Sequence, residues 1–445
     1  MTDQISVAVS RSAMRKAFWR ILPLILLAYL CAYMDRVNVS FAAASMNADL
    51  KFSATIYGLG AGLFFLGYAL FEIPSNLMLV RFGARRWLAR IMITWGLLAA
   101  ATMFVQTPMQ FYVVRFLLGV AEAGFYPGVI TYFSLWFPAC HRGRAVSRFY
   151  VAGPLGSVVM GIVSGWMLDM DGTWSLHGWQ WLFLLQGLPS VLVGLLILAK
   201  LPDAPATVDW LTPPEKEWIE AELASEQARI GGPASHNVLG AFRNPRVVIT
   251  GILGFLLIGV VTTFILSAPL ILTEATGLAR DQVALLITIG GLLGAGTILF
   301  AGNFADRHGD RFLHAFWHSV AVAVTLLVIA LAPSPLIVII AYLVFAMSCF
   351  TIAMLTSSGW AELLHVRELA VGAAAINTIS QVGAFVTPFA WGRSRDLSGS
   401  FTPGLFGLVV MTVMLAVLVL MVRRLARGGR RQIVDSLGDF PKTAV

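Results

Sequence analysis

Within one apolar stretch of the sequence, Tyr29, Tyr33 and Arg36 fall at positions i, i+4 and i+7. On a helix this spacing lays two phenols and a guanidinium along one stripe, which suits the wall of a cavity. Asp35 points about 100° away round the same helix and cannot pair with Arg36 by facing contact, so each needs a partner elsewhere. A second apolar stretch offers candidates. Arg115, Gly119 and Glu122 repeat the same spacing, with cation and anion about two turns, ~10 Å, apart and no side chain between them at Gly119. A small anion is expected to fit in that gap. Arginine stays charged at any working pH and its planar fork matches a carboxylate, so Arg36 and Arg115 are the candidate substrate anchors. Carboxylic acids can charge and discharge, so Asp35 and Glu122 are the candidate proton carriers. Protonating either acid would release an arginine for an incoming anion. The competing reading is a structural ion-pair network, but burying each charge mid-membrane costs at least about 2.5 to 3.5 kcal/mol, which argues for a polar cavity with a task.

Other polar groups are placed more loosely. Tyr68 lies in the run Leu66 to Glu72, where its hydroxyl can bind a substrate oxygen; Tyr33 and Tyr68 can equally be interhelical hydrogen-bonding residues. Glu72, two residues before Pro74, reads as a structural partner for loop arginines. In the second half Ser357, Trp360, Asn377 and Gln381 are the polar or amphipathic groups near the matching depth, and no cation stands in mid-span there. Charge recognition therefore belongs to the first half. His314 and His318 have metal-compatible spacing but lack a third ligand. With no nucleophile beside a base and no phosphate-cradling loop, neither an enzyme nor a cofactor is expected.

These groups must be positioned by membrane helices. Of 445 residues, 58% are apolar and 12% are charged, too few polar groups to clothe a water-soluble globule. Apolar stretches long enough to cross about 30 Å of hydrocarbon recur at 18–44, 54–80, 87–106, 111–137, 146–168, 179–201, 247–273, 283–305, 312–332, 335–357, 370–391 and 402–422. The expected fold is all-α, with twelve transmembrane helices. The first stretch is too long for a cleaved signal peptide and carries Asp35 and Arg36, so it is expected to remain as helix one. Net charge is +8. Its arginines cluster on alternate loops, at Arg11 to Arg20, Arg81 to Arg90, Arg142 to Arg148 and Arg423 to Arg431, and this asymmetry places both termini in the cytoplasm. Nucleic acid is not expected as a partner, since no soluble basic domain is present. Cys31, Cys140 and Cys349 are scattered and read as reduced packing residues.

The chain divides into residues 1–201, a polar cytoplasmic linker 202–246, and residues 247–445. Thr212-Pro213-Pro214-Glu215 predicts the start of a short surface helix in the linker. The two halves echo each other. Arg81 to Arg86 matches Asp306 to Arg311, and Trp136 to Arg144 matches Trp360 to Arg367. Such repetition suits two pseudo-symmetric six-helix bundles around a central cavity, the arrangement that permits alternating access.

The turn Gly302-Asn303-Phe304-Ala305-Asp306-Arg307-His308-Gly309-Asp310-Arg311 resembles the loop motif of the major facilitator superfamily. The resemblance assigns a gating role to Arg81, Gly83, Arg85, Asp306, Arg307 and Gly309, although Val80 replaces the usual aspartate of the first copy. Tyr33-Met34-Asp35-Arg36-Val37-Asn38, with Arg115 and Glu122, is similar to the anion:cation symporter branch, and the likeness spans the whole chain. It implies a proton-coupled symporter of the bacterial inner membrane, importing a tartrate-like hydroxy acid or a sugar acid and working as a monomer. It also implies that Ser357, Trp360 and above all Asn377 complete the substrate site. An aromatic-acid symporter, an anion exchanger of the same fold and a transporter-fold sensor are the alternatives.

Overall fold

The computed structural model describes residues 2–230, 238–308, 310–331, 334–358 and 369–438. Among them α1 (Thr2–Leu50), α2 (Ala54–Phe82), α3 (Ala84–Ala101), α4 (Pro108–Glu122), α5 (Phe125–Trp136), α6 (Ala139–Leu168) and α7 (Gly178–Lys200) build the first bundle. The linker carries α8 (Pro213–Ile230) and the short α9 (Val238–Ala241). The second bundle holds α10 (Pro245–Thr276), α11 (Arg280–His308), α12 (Arg311–Leu331), α13 (Pro335–Ser358), α14 (Leu369–Ser398) and α15 (Thr402–Gly438). No strand occurs among the described residues.

Counting α4 and α5 as one span, eleven of these helices are long and apolar enough to cross a membrane. The remaining long helix, α14, runs for 30 residues but is diluted by Asn377, Thr378, Ser380 and Gln381. It packs along α2 and α10 like the other members of the bundle. Each bundle has its own apolar core, one centred on Trp95, Phe111, Phe133 and Trp136, the other on Phe264, Phe312, Phe345 and Leu415.

Local sequence explains most helix ends. Ser53 caps α2 by accepting from the Ile56 amide, and Thr107 with Gln110 forms a full capping box on α4 behind Pro108. Gly83 (φ 84°) makes the turn between α2 and α3, a conformation that disfavours any side chain. The single span expected over 111–137 is broken. α4 ends at Glu122 and α5 restarts at Phe125, because Gly124 adopts a left-handed turn (φ 84°) at a place where a β-carbon would collide with the Ser75 side chain. The fifth span starts at Ala139, earlier than the expected 146, since Arg142 and Arg144 continue the helix at its polar entrance.

The predicted linker helix forms, and the Glu215 carboxylate accepts from the Thr212 amide at 2.8 Å. It is fastened to the first bundle. Lys16 meets Glu215 at 2.7 Å, Arg142 meets Glu226 at 3.0 Å, and Trp210 stacks on Trp136 at 5.6 Å. Burial pushes the Glu215 carboxyl up, but the hydrogen bonds from Lys16 and Thr212 outweigh it and hold the group at about 2. The end of the molecule that carries α8 is here termed the linker side and the opposite end the distal side.

Two seams join the bundles. α2 runs antiparallel to α14, with Gly58 against the Pro388 carbonyl, Gly62 against the Phe385 carbonyl, and Asp396 accepting from the Ala54 and Thr55 amides at 3.0 and 2.8 Å. α6 meets α11 in the same way, with Gly161 against Ala284 and Thr288, and Gly291 against Pro154.

Candidate functional site

Arg36 and Glu122, 86 positions apart in sequence, form the centre of the site. The Arg36 Nε and Nη2 atoms both reach Glu122 Oε1, at 2.7 and 2.6 Å, while Oε2 is buried without a hydrogen-bond partner. The Glu122 side chain is 1% exposed and that of Arg36 22%, so the cation is the accessible member of the pair. The break after Glu122 places its carboxylate where α4 stops and α1 passes. The Arg36 guanidinium carbon also lies 5.3 Å from the Tyr68 ring centre and 6.0 Å from that of Phe64.

Arg115 is fully buried, 5.2 Å over the Phe64 ring. No carboxylate among the described residues stands within ion-pair distance of it, and its Nε has no partner. Asp35, Glu122 and Tyr57 act on it electrostatically. Asp35 turns to the other side of α1. There its carboxylate accepts from the Trp95 indole on α3 and from the Asn38 amide, the latter at 2.9 Å. These are the partners that helical geometry left unassigned. The four charged residues therefore gather round one crossing of α1, α2, α3 and α4, but they do not share one surface. Arg36 keeps part of its side chain exposed, Arg115 is buried against Phe64, and Asp35 is sealed inside the first bundle.

The gap expected at Gly119 does not exist. A β-carbon there would stand 1.9 Å from the Phe64 carbonyl oxygen, so α2 fills the space and glycine serves helix packing. Glu72 also departs from expectation. It is buried, and instead of meeting loop arginines it accepts from the Asn377 amide of the second bundle at 2.8 and 2.7 Å.

Tyr33 packs on α6 at Gly153 and Gly156 and approaches Phe350 of α13 with ring centres 6.1 Å apart. A small central cavity of about 30 Å³ begins one helical step away, lined from both bundles by Val37, Ser40, Ser157, Tyr342, Cys349 and Phe350. Sequence reasoning missed two residues nearby. The hydroxyls of Tyr126 and Tyr150 contact each other, and Tyr150 also bonds to Ser357 across the bundles. The signal for Tyr126 was its place between the helix-breaking Gly124 and Pro127; Tyr150 had none.

In the loop motif, Gly83 makes its turn, Arg85 pairs with Asp203 of the linker at 3.2 Å, and Arg81 lies over the Phe82 ring. The side chains of Asp306 and Arg307, together with Gly309 and Trp360, lie outside the described residues. His318 bonds to Ser348 at 3.2 Å, and no group of three potential metal ligands occurs among the described residues.

Residues 25–388 match the family model described as Major Facilitator Superfamily. The chain belongs to that superfamily. It is accordingly a multi-pass membrane transporter and not an enzyme. A protein of Agrobacterium vitis named "Putative tartrate transporter" is 39% identical over 413 residues, covering 92% of this chain and 91% of that one. One from Pseudomonas putida, named "Putative metabolite transport protein NicT", is 40% identical over 394 residues, with 86% and 88% covered. These relatives agree with the anion:cation symporter branch that Tyr33 to Asn38 resembles. Among solved structures, the partially occluded inward-open xylose transporter XylE of E. coli superposes with a TM-score of 0.71. At 16% identity, over 90% of this chain and 97% of that one, the match establishes the shared fold.

Proposed function

We propose that this transporter is a proton-coupled symporter of the bacterial inner membrane that imports a small hydroxylated organic carboxylate, of the tartrate or sugar-acid type. The linker side faces the cytoplasm, as the arginine asymmetry of the loops requires, and one chain contains the whole pathway. The observation that carries the reading is the Arg36 and Glu122 pair. A partly exposed guanidinium spends two donors on one oxygen of a buried acid. An incoming carboxylate makes the same bonds.

The exchange follows from charge. When Glu122 takes a proton, its hold on Arg36 weakens and the fork is free to receive the substrate's carboxylate. With a monocarboxylate such as gluconate the loaded site is then neutral, Asp35 balancing Arg115, and a dicarboxylate such as tartrate needs a second proton, on Asp35, to reach the same balance. Reorientation closes one pair of seam ends and opens the other, with each bundle moving as a body. On the cytoplasmic side the proton leaves Glu122, the acid returns to Arg36 and the substrate is expelled. Asp35, held by Trp95 and Asn38, is a second proton store behind the first. One pH unit supplies about 1.4 kcal/mol per proton, and each net positive charge moved through 100 mV adds roughly 2.3 kcal/mol. The names of the relatives support the substrate class.

Proteoliposomes under an acid-outside gradient test this reading. Tartrate or gluconate should accumulate with the wild-type protein. Glu122→Gln should abolish accumulation, and Asp35→Asn should reduce it, while both retain exchange between equal internal and external pools. Accumulation that survives in Glu122→Gln would remove that residue from the proton path.

A further inference from the structure

Glu72 is the buried acid that this cycle leaves unused. It is 3% exposed on α2, and both of its oxygens accept from Asn377 of α14. No lysine or arginine among the described residues lies within ion-pair distance of it. One turn before it on the same face, Tyr68 holds its ring 5.3 Å from the Arg36 guanidinium carbon. Glu72 thus lies one helical turn, ~5.4 Å along α2, beyond a residue whose ring packs against Arg36.

The two ends of this short span differ in what they accept. Arg36 offers donors and a permanent positive charge, which suits a carboxylate. Glu72 with Asn377 offers a carboxylate acceptor beside an amide donor. A second carboxylate is repelled there and an aromatic edge leaves both groups unpaired. A hydroxyl satisfies both, donating its proton to Glu72 while its oxygen accepts from Asn377.

We infer that Glu72 and Asn377 form a hydroxyl-reading subsite, built from both bundles, that selects hydroxylated acids over bare dicarboxylates and aromatic acids. The inference rests on the proposal that the substrate's carboxylate binds Arg36. A ligand without the hydroxyl gains nothing from the closed Glu72–Asn377 pair, and one that wedges between them leaves both groups buried and unpaired, a strong basis for rejection. Because the two residues belong to different bundles, a hydroxyl that bridges them is held by both halves at once.

Thermal-shift titrations of the purified protein with gluconate, tartrate, succinate and benzoate provide the test. The wild-type protein should bind gluconate and tartrate at least about tenfold more tightly than succinate or benzoate. In Glu72→Gln, which keeps an acceptor for Asn377, the preference for gluconate over succinate should shrink on the order of tenfold, because the hydroxyl loses a charged acceptor and the carboxylate loses its repulsion. The ligand-free melting temperature separates a site effect from a folding defect. Should that variant not fold, Asn377→Ala must produce the same loss of preference from the other bundle. An unchanged gluconate to succinate ratio in a folded variant overturns the subsite and leaves the transport reading standing. A wild-type protein stabilised by none of the four acids overturns both.

Discussion

The two bundles share one architecture and differ in chemistry. The first buries Asp35, Glu72, Arg115 and Glu122, each no more than 3% exposed, with Arg36 partly exposed beside them. In the second, the buried polar side chains among the described residues are serines, threonines and Gln381, with Asn377 at the boundary. Neutral hydroxyls return their hydrogen bonds to their own helix, as Thr412 does to the Leu408 carbonyl at 2.7 Å. The buried acids draw on other helices, Asp35 on Trp95 of α3, Glu122 on Arg36 of α1 and Glu72 on Asn377 of α14. The acidic and basic groups buried in the bundles are thereby concentrated in the first one, around α1 to α4.

Substitutions that break this asymmetry should have the largest effects. Arg36→Leu leaves Glu122 as an unpaired buried acid and removes the anchor, a loss of about 2 to 5 kcal/mol. Initial uptake of tartrate or gluconate should fall at least about 30-fold. Near-normal uptake would show that the charged half does not bind the anion. Asn377→Asp brings negative charge into the neutral half, directly against Glu72, and should lower uptake roughly tenfold through like-charge repulsion. If transport is unaffected, the two groups do not meet in the working cycle.

The next effect is on stability. Trp95→Phe removes the indole donor from buried Asp35 and should cost about 1 to 3 kcal/mol in denaturant unfolding. Thr412→Val in the second bundle should cost about 1 kcal/mol or less. Equal costs would mean that the buried acid is no more demanding than a buried hydroxyl.

The smallest effect concerns the linker. The folded protein holds the Glu215 carboxyl at about 2, below its ordinary 4.5, so its stabilising contribution is complete above 4.5 and is lost as pH falls through that window towards 2. Lys16 is one-third exposed, and with solvent screening discounted the contribution is about 1 kcal/mol. Glu215→Gln should melt earlier than wild type at pH 7, and the two curves should converge near pH 2. A difference that persists at pH 2 would assign the effect to packing on Trp210 and Trp136.

Residue order alone determined the helical membrane architecture and the linker helix that begins after Thr212, and it marked Arg36, Arg115, Asp35 and Glu122 as charged groups set within membrane helices. Apolar run length, cap chemistry and the cost of a charge in lipid are local properties, and a sequence states them directly. The tertiary structure decided which groups meet. Helical periodicity says that Asp35 and Arg36 face apart, but not that Trp95 waits on one side and Glu122 on the other. It marks Gly119 as a gap without saying that Phe64 fills it, and it cannot connect Glu72 to Asn377 across 305 positions of chain. A helix's own period fixes the direction in which each side chain points, and only packing fixes what stands in that direction.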